Sequence, residues 1–141
     1  MSELYEKSLL KLELDRVLEQ LAACAGSEGG KTACSRVRPV SDLEDVQLLL
    51  EQTTAASDLC TRKGNPGFAG VADVSASLER ADRGGCLQPK ELLEIGGVLR
   101  CARSVKGYVS EDEQKTVLDS LFSCLSPNKY LEDRIFGAIL S

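Results

Sequence analysis

The sequence predicts an all-α protein: an irregular bundle of about seven helices forming a single domain over residues 1–141. Three observations support this. The apolar content, 43% of the chain, comes mainly from Leu, Ala and Val, with three Phe, three Tyr and no Trp. Apolar positions recur every three or four residues in one segment after another, which is the period of a helix face. Helix-start signals precede several of these segments, and no two alternating stretches pair as a hairpin.

Leu14, Val17, Leu18 and Leu21 fall at i, i+3, i+4 and i+7, one stripe of a helix for which Asp15 is a candidate cap. The preceding LKLEL alternates and reads as a short extended or kinked lead-in. A second helix starts near Ser27, buries Ala33, Cys34 and Val37, and stops before Pro39. Ser41 to Glu44 form a capping box for a third helix of five to six turns. That helix buries Val46, Leu49, Leu50, Thr53 and Cys60; Arg62 and Lys63 suit its negative end, and Gly64 its stop.

Residues 64–73 are dense in Gly and Pro and read as an internal connector, anchored by Phe68. A short helix through Val74, Leu78 and Ala81 ends at Gly84 and Gly85. Pro89 suits the first turn of the next helix, which carries Leu92, Ile95, Leu99 and Ala102 on one stripe and closes at Gly107. Its Gly96 and Gly97 cost helix propensity, and either permit close approach of another helix or are simply tolerated. A second capping box, Ser110 to Glu113, opens a helix burying Val117, Leu118, Leu121, Cys124 and Leu125, ended by Pro127. Asn128 caps the last helix, with Leu131, Ile135 and Ile139 at i+4 steps.

The net charge of −5 and pI near 4.8 repel a polyphosphate, so tight independent nucleic-acid binding is not expected. Glu3, Glu6 and Glu13 break up the apolar start, which excludes a secretory signal, and no window is apolar enough for a membrane span. The six cysteines lie ten or more residues apart, with no Cys-x-x-Cys pair and no histidine, so no metal site is expected. They read as reduced, mostly buried thiols of a cytoplasmic protein.

One stretch suggests chemistry. AGSEGGKT, Ala25 to Thr32, fits a relaxed phosphate-loop pattern, with Gly30, Lys31 and Thr32 in the Gly-Lys-Ser/Thr places. A phosphate loop joins a buried strand to a helix, whereas here an amphipathic helix precedes it and the next helix begins inside it. The magnesium-holding Asp is missing too, because Asp15 and Asp119 both lie in helical-period segments. Lys31 and Thr32 are therefore read as a false match, and no nucleotide site is expected. Without histidine no Ser-His or Cys-His pair can form, and no catalytic residue is assigned. Acidic pairs such as Glu44 with Asp45 and Glu132 with Asp133 suit helix starts. Arg100, Arg103 and Lys106 form the one concentrated cationic face, a candidate contact for nucleic acid or a partner, although cations near a helix end also serve the dipole.

The order of these motifs resembles a known family. The run from LELDRVLEQLAACAGSEGG to VSDLEDVQLLLEQ is similar to the start of the core, or lever, domain of the MutS family. SLERADRGGCLQPKELLEIGGVLRCARSVKGY and SPNKYLEDRI resemble the bacterial type-two paralogues in particular. The resemblance covers nearly the whole chain and implies an N-terminal fragment of a longer protein. That parent would be a dimeric, DNA-binding ATPase using ATP and Mg, with clamp helices and a C-terminal Smr endonuclease domain. Its targets would be branched DNA, where it suppresses recombination, or collided ribosomes. The fragment would hold no cofactor and would contact its own ATPase and clamp domains. The alternative is a free-standing helical adaptor that binds a protein through an exposed apolar stripe such as Leu131, Ile135 and Ile139.

Overall fold

A computed structural model describes residues 3–110 and 115–140. These residues form eight helices and no strand: α1 (Glu3–Lys11), α2 (Leu14–Ala23), α3 (Glu28–Ser35), α4 (Leu43–Lys63), α5 (Ser75–Asp82), α6 (Pro89–Ser110), α7 (Asp119–Ser123) and α8 (Lys129–Leu140). The all-α expectation holds, and the additional helix is α1. LKLEL is not extended. It holds a sharp kink at Glu13, whose φ of 53° is the one positive value at a non-glycine among the described residues. A left-handed residue of this kind costs about 1–2 kcal/mol, so the turn between α1 and α2 is held by its surroundings. Asp15 lies in the first turn of α2 and is not its cap.

The α2 helix packs on α3, which begins as expected at Ser27; the Ser27 hydroxyl accepts from the Gly30 amide at 3.1 Å. Cys34 is half-buried, but Ala33 and Val37 are exposed, Val37 because α3 already ends at Ser35. The cap of α4 is Asp42, one residue after the predicted Ser41. One carboxylate oxygen of Asp42 accepts from the amides of Glu44 (3.0 Å) and Asp45 (3.3 Å), which a serine hydroxyl does with less charge.

At the far end of α4, Gly64 takes φ 77°, where a side chain would be strained, and its amide closes on Cys60 O at 2.8 Å. Only the C-terminal half of α4 is well covered, along Gln52, Ala55, Ala56, Leu59, Cys60 and Lys63. Leu49, Leu50 and Thr53 are therefore exposed instead of buried; Leu50 and Leu43 lie on the opposite face, 62% and 68% exposed.

The 64–73 connector docks on the α2–α3 turn: Gly70 N donates to Gly26 O (3.2 Å) and Glu28 N to Val71 O (3.4 Å). Val71, Ala72 and Val74 anchor it, whereas Phe68 is exposed. In α5 the buried side chain is Ser77, while Leu78 and Ala81 face solvent. Gly84 (φ 82°) turns the chain after α5. The α6 helix continues three residues past Gly107, because Tyr108 is held by the end of α4: its hydroxyl donates to Gly64 O at 2.6 Å, with Leu59 O at 3.3 Å.

Of the capping box expected at Ser110–Glu113, Ser110 ends α6 and the remaining residues lie outside the described ones. The rest of the helix predicted after it is only α7; Leu118 is buried, but Leu121 and Cys124 are exposed. Asn128 caps α8 as expected, its side-chain oxygen accepting from Leu131 N at 3.0 Å. The buried face of α8 runs through Glu132, Ile135, Phe136 and Ile139, one position away from Leu131, which is exposed.

Leu59, Val74, Val105, Leu118 and Ile135 are the buried apolar residues of a small core, and Val105 on α6 is the most buried of them (1% exposed). None of the six cysteines is buried: Cys24, Cys86 and Cys124 are exposed and the other three half-buried, since a core this small covers few helix faces. The chain exposes 10402 Å² of surface. A compact monomer of its mass exposes about 7,100 Å².

The tightest packing joins α6 and α8. A Cβ on Gly96 would sit 3.0 Å from two ring carbons of Phe136 and 3.3 Å from Ile135 Cγ2, whereas one on Gly97 meets open space. Gly97→Ala is therefore expected to stabilise the chain by about 1 kcal/mol, whereas Gly96→Ala sacrifices that gain to crowding. Thermal unfolding followed by circular dichroism checks this, with Gly97→Ala melting higher than Gly96→Ala.

Candidate functional site

Two places gather the residues singled out in the sequence. At the α2–α3 turn, the amides that a phosphate loop would offer are in use. Glu28 N donates to Val71 O (3.4 Å), Gly30 N to Ser27 Oγ (3.1 Å) and Lys31 N to Ser27 O (3.0 Å). Lys31 Nζ donates to Glu28 Oε1 at 2.8 Å on the surface of α3, and Thr32 O accepts from Ser35 Oγ at 2.8 Å. The connector is bonded to this turn through Gly70 N to Gly26 O and Glu28 N to Val71 O.

The second place is the α6–α8 contact. Glu132 is only 3% exposed, although it lies near a helix start where solvated acids are common. Arg103 grips it with both arms of its guanidinium, Nε to Oε2 at 3.0 Å and Nη2 to Oε1 at 2.9 Å. Arg100 Nε adds a third bond to Oε1 at 3.2 Å, while its guanidinium lies 4.0 Å over the Phe136 ring. Lys106 Nζ donates to Leu125 O at 2.9 Å, tying α6 to the segment before α8. The cationic face of Arg100, Arg103 and Lys106 thus meets the protein's own helices. Both arginines remain half in solvent, with side chains 58% and 44% exposed.

The hydrogen bonds from Arg103, and then Arg100, hold the Glu132 carboxyl down at about 2 against the opposing effect of burial. Arg103 is raised by the same bonds.

Two further residues were not singled out from the sequence. Glu91 accepts from Gln88 N at 2.7 Å, from Ser77 Oγ at 3.0 Å and from Arg80, so it caps α6 while holding α5. Its carboxyl is also lowered to about 2, chiefly by Arg80. The signal was present: Gln88 and Glu91 have capping-box spacing across Pro89. Tyr108 carried no signal, because its acceptors lie 44 and 49 residues away.

No family model matches the chain. Individual proteins do. It is 37% identical over 139 residues, 96% of its length, to Endonuclease MutS2 of Ruminiclostridium cellulolyticum. The chain is a relative of the MutS2 proteins. The MutS2 of Acetivibrio thermocellus is 37% identical over 140 residues, and that of Clostridium beijerinckii 35% over 139. In each case the chain spans only 18% of the MutS2 protein's own length. Among the described residues, no three His, Cys, Asp or Glu side chains are grouped to hold a metal ion, and no helix is long and apolar enough to cross a membrane.

Both lowered carboxyls make a directional prediction for this MutS2 relative. A depressed folded-state value gives stability that is present above the ordinary carboxylate value of 4.5 and is lost as pH falls toward about 2. Acid titration should therefore open the α6–α8 and α5–α6 contacts within that window. Glu132→Gln should lower the melting temperature at neutral pH and flatten the acid limb. Melting curves between pH 7 and pH 2 measure both effects, and a variant with an unchanged acid limb would assign the acid response elsewhere.

Proposed function

We propose that this chain is the N-terminal core, or lever, region of a longer MutS2 protein and serves as its non-catalytic coupling module. The observation that carries this reading is a match along 96% of the chain to proteins of which it spans 18%. An open helical architecture, with more surface than a compact monomer needs, supports it. The parent is a dimeric, ATP- and Mg-dependent enzyme with a C-terminal endonuclease domain, acting on branched DNA to suppress recombination or on collided ribosomes.

In this reading the module transmits motion mechanically. The α4 helix is about 31 Å long, and Tyr108 pins its C-terminal end to α6. Displacing one end carries the other. AGSEGGKT is a helix-to-helix turn and not a nucleotide site, a reading supported by the engaged amides of Glu28, Gly30 and Lys31. The parent's ATP site lies elsewhere in its sequence.

A free-standing adaptor is the second reading, and Leu43 and Leu50 on the uncovered face of α4 favour it. The length of the open reading frame separates the two, because a stop codon after Ser141 leaves only the adaptor.

The isolated chain is expected to show no ATP hydrolysis and only weak binding to four-way junction DNA at physiological salt. In the parent, Lys31→Ala should leave ATP turnover unchanged. Nanomolar junction binding by the isolated chain, or loss of turnover in the variant, contradicts the reading.

A further inference from the structure

We propose that the groove between α1 and α2 is the docking site for a basic amphipathic helix supplied by the remainder of the same longer polypeptide. This rests on the fragment reading above.

The groove has a volume of about 390 Å³. Its floor is Leu9, Leu10, Leu14, Leu18 and Ala22. Leu14, Leu18 and Ala22 follow one another at i+4 steps along about 12 Å of α2, the spacing that receives the ridge of another helix. Leu10 is 73% exposed, so the floor is open to an occupant.

The rim carries Glu6, Asp15 and Glu19 against the single cation Arg38. The Arg38 guanidinium is occupied with the Ser35 and Val37 carbonyls, at 3.3 and 2.7 Å. An apolar floor under a carboxylate rim selects a helix with Leu- or Ile-like anchors three and four residues apart and Lys or Arg on its flanks.

The groove is also held open. At one end the Tyr5 hydroxyl donates to Pro39 O at 3.2 Å, tethering α1 to the segment after α3. At the other, the left-handed Glu13 fixes the angle between α1 and α2.

The occupant belongs to the same polypeptide because more than four fifths of each matched relative lies outside the aligned region, and a tethered segment reaches the groove at high effective concentration. Weak rim charges then suffice to select among the parent's helices.

The test places a photo-crosslinking amino acid at Leu10 of the full-length protein, in a mixture of isotopically light and heavy chains. The expected product is an intrachain crosslink to a segment beyond residue 141 with helical apolar spacing and Lys or Arg flanks. The triple reversal Glu6→Lys, Asp15→Lys and Glu19→Lys should reduce its yield on the order of tenfold, with helix content unchanged. Crosslinks within residues 1–141, to a second copy, to another protein, or to a segment without basic flanks overturn the proposal, as does a yield unaffected by the reversal. A reading frame ending at Ser141 removes the fragment reading itself, whereas a longer chain whose crosslinks land elsewhere removes only the groove assignment.

Discussion

The packing of this chain depends on how one nearly buried carboxylate, Glu132, is neutralised. An acid with its carboxylate away from water is tolerated only when its oxygens are matched by donors, and a bidentate guanidinium is the donor that fits both at once. Arg103 supplies that fork and Arg100 a third bond. The arginines are three residues apart on α6, so both can reach one point on α8 in only one rotational setting. That setting brings Ile135 and Phe136 down onto Gly96, the one place where the absence of a side chain matters for helix approach. The charge match thus fixes the register, and the glycine permits the distance.

Away from this contact the molecule is economical with its interior. Its few buried apolar side chains come from the end of α4, the residue before α5, the C-terminal third of α6, the residue before α7 and the middle of α8. Short polar devices do the remaining joining: Glu91 links α5 to α6, Tyr108 links α4 to α6, and two backbone bonds clip the connector to the α2–α3 turn. Hydrogen bonds fix geometry but contribute modest net stability. A chain built this way keeps its shape while leaving long apolar helix faces for other elements to cover.

What could be read from the sequence follows the range of each interaction. The Ser27 and Asn128 caps and the Gly64 stop are decided within a few residues and appear where expected. The cap of α4 moved from Ser41 to Asp42 because two adjacent acceptors compete and the stronger wins. Burial was harder to read. Leu49 and Leu50 carry the right period, but period identifies a face without saying what covers it. Glu132 was read as a helix-start acid, yet it lies on the same face as Ile135, Phe136 and Ile139, and a carboxylate on an apolar stripe calls for a cation elsewhere. Arg100 and Arg103 were singled out as a cationic face and are the pair that answers it. The helical path past Gly107 was invisible locally, because a contact with α4 sets it.

In the proposed reading the chain is a partial assembly: an α6–α8 joint carrying surfaces that the rest of a longer protein covers. Amide hydrogen exchange, compared between the isolated chain and the same residues within the full-length protein, tests it most directly. Equal protection is expected for the α6–α8 contact in both, with the first half of α4 and the α1–α2 pair exchanging fast alone and slowly in the full protein. Equal protection of α4 and α1–α2 in the two samples would contradict it.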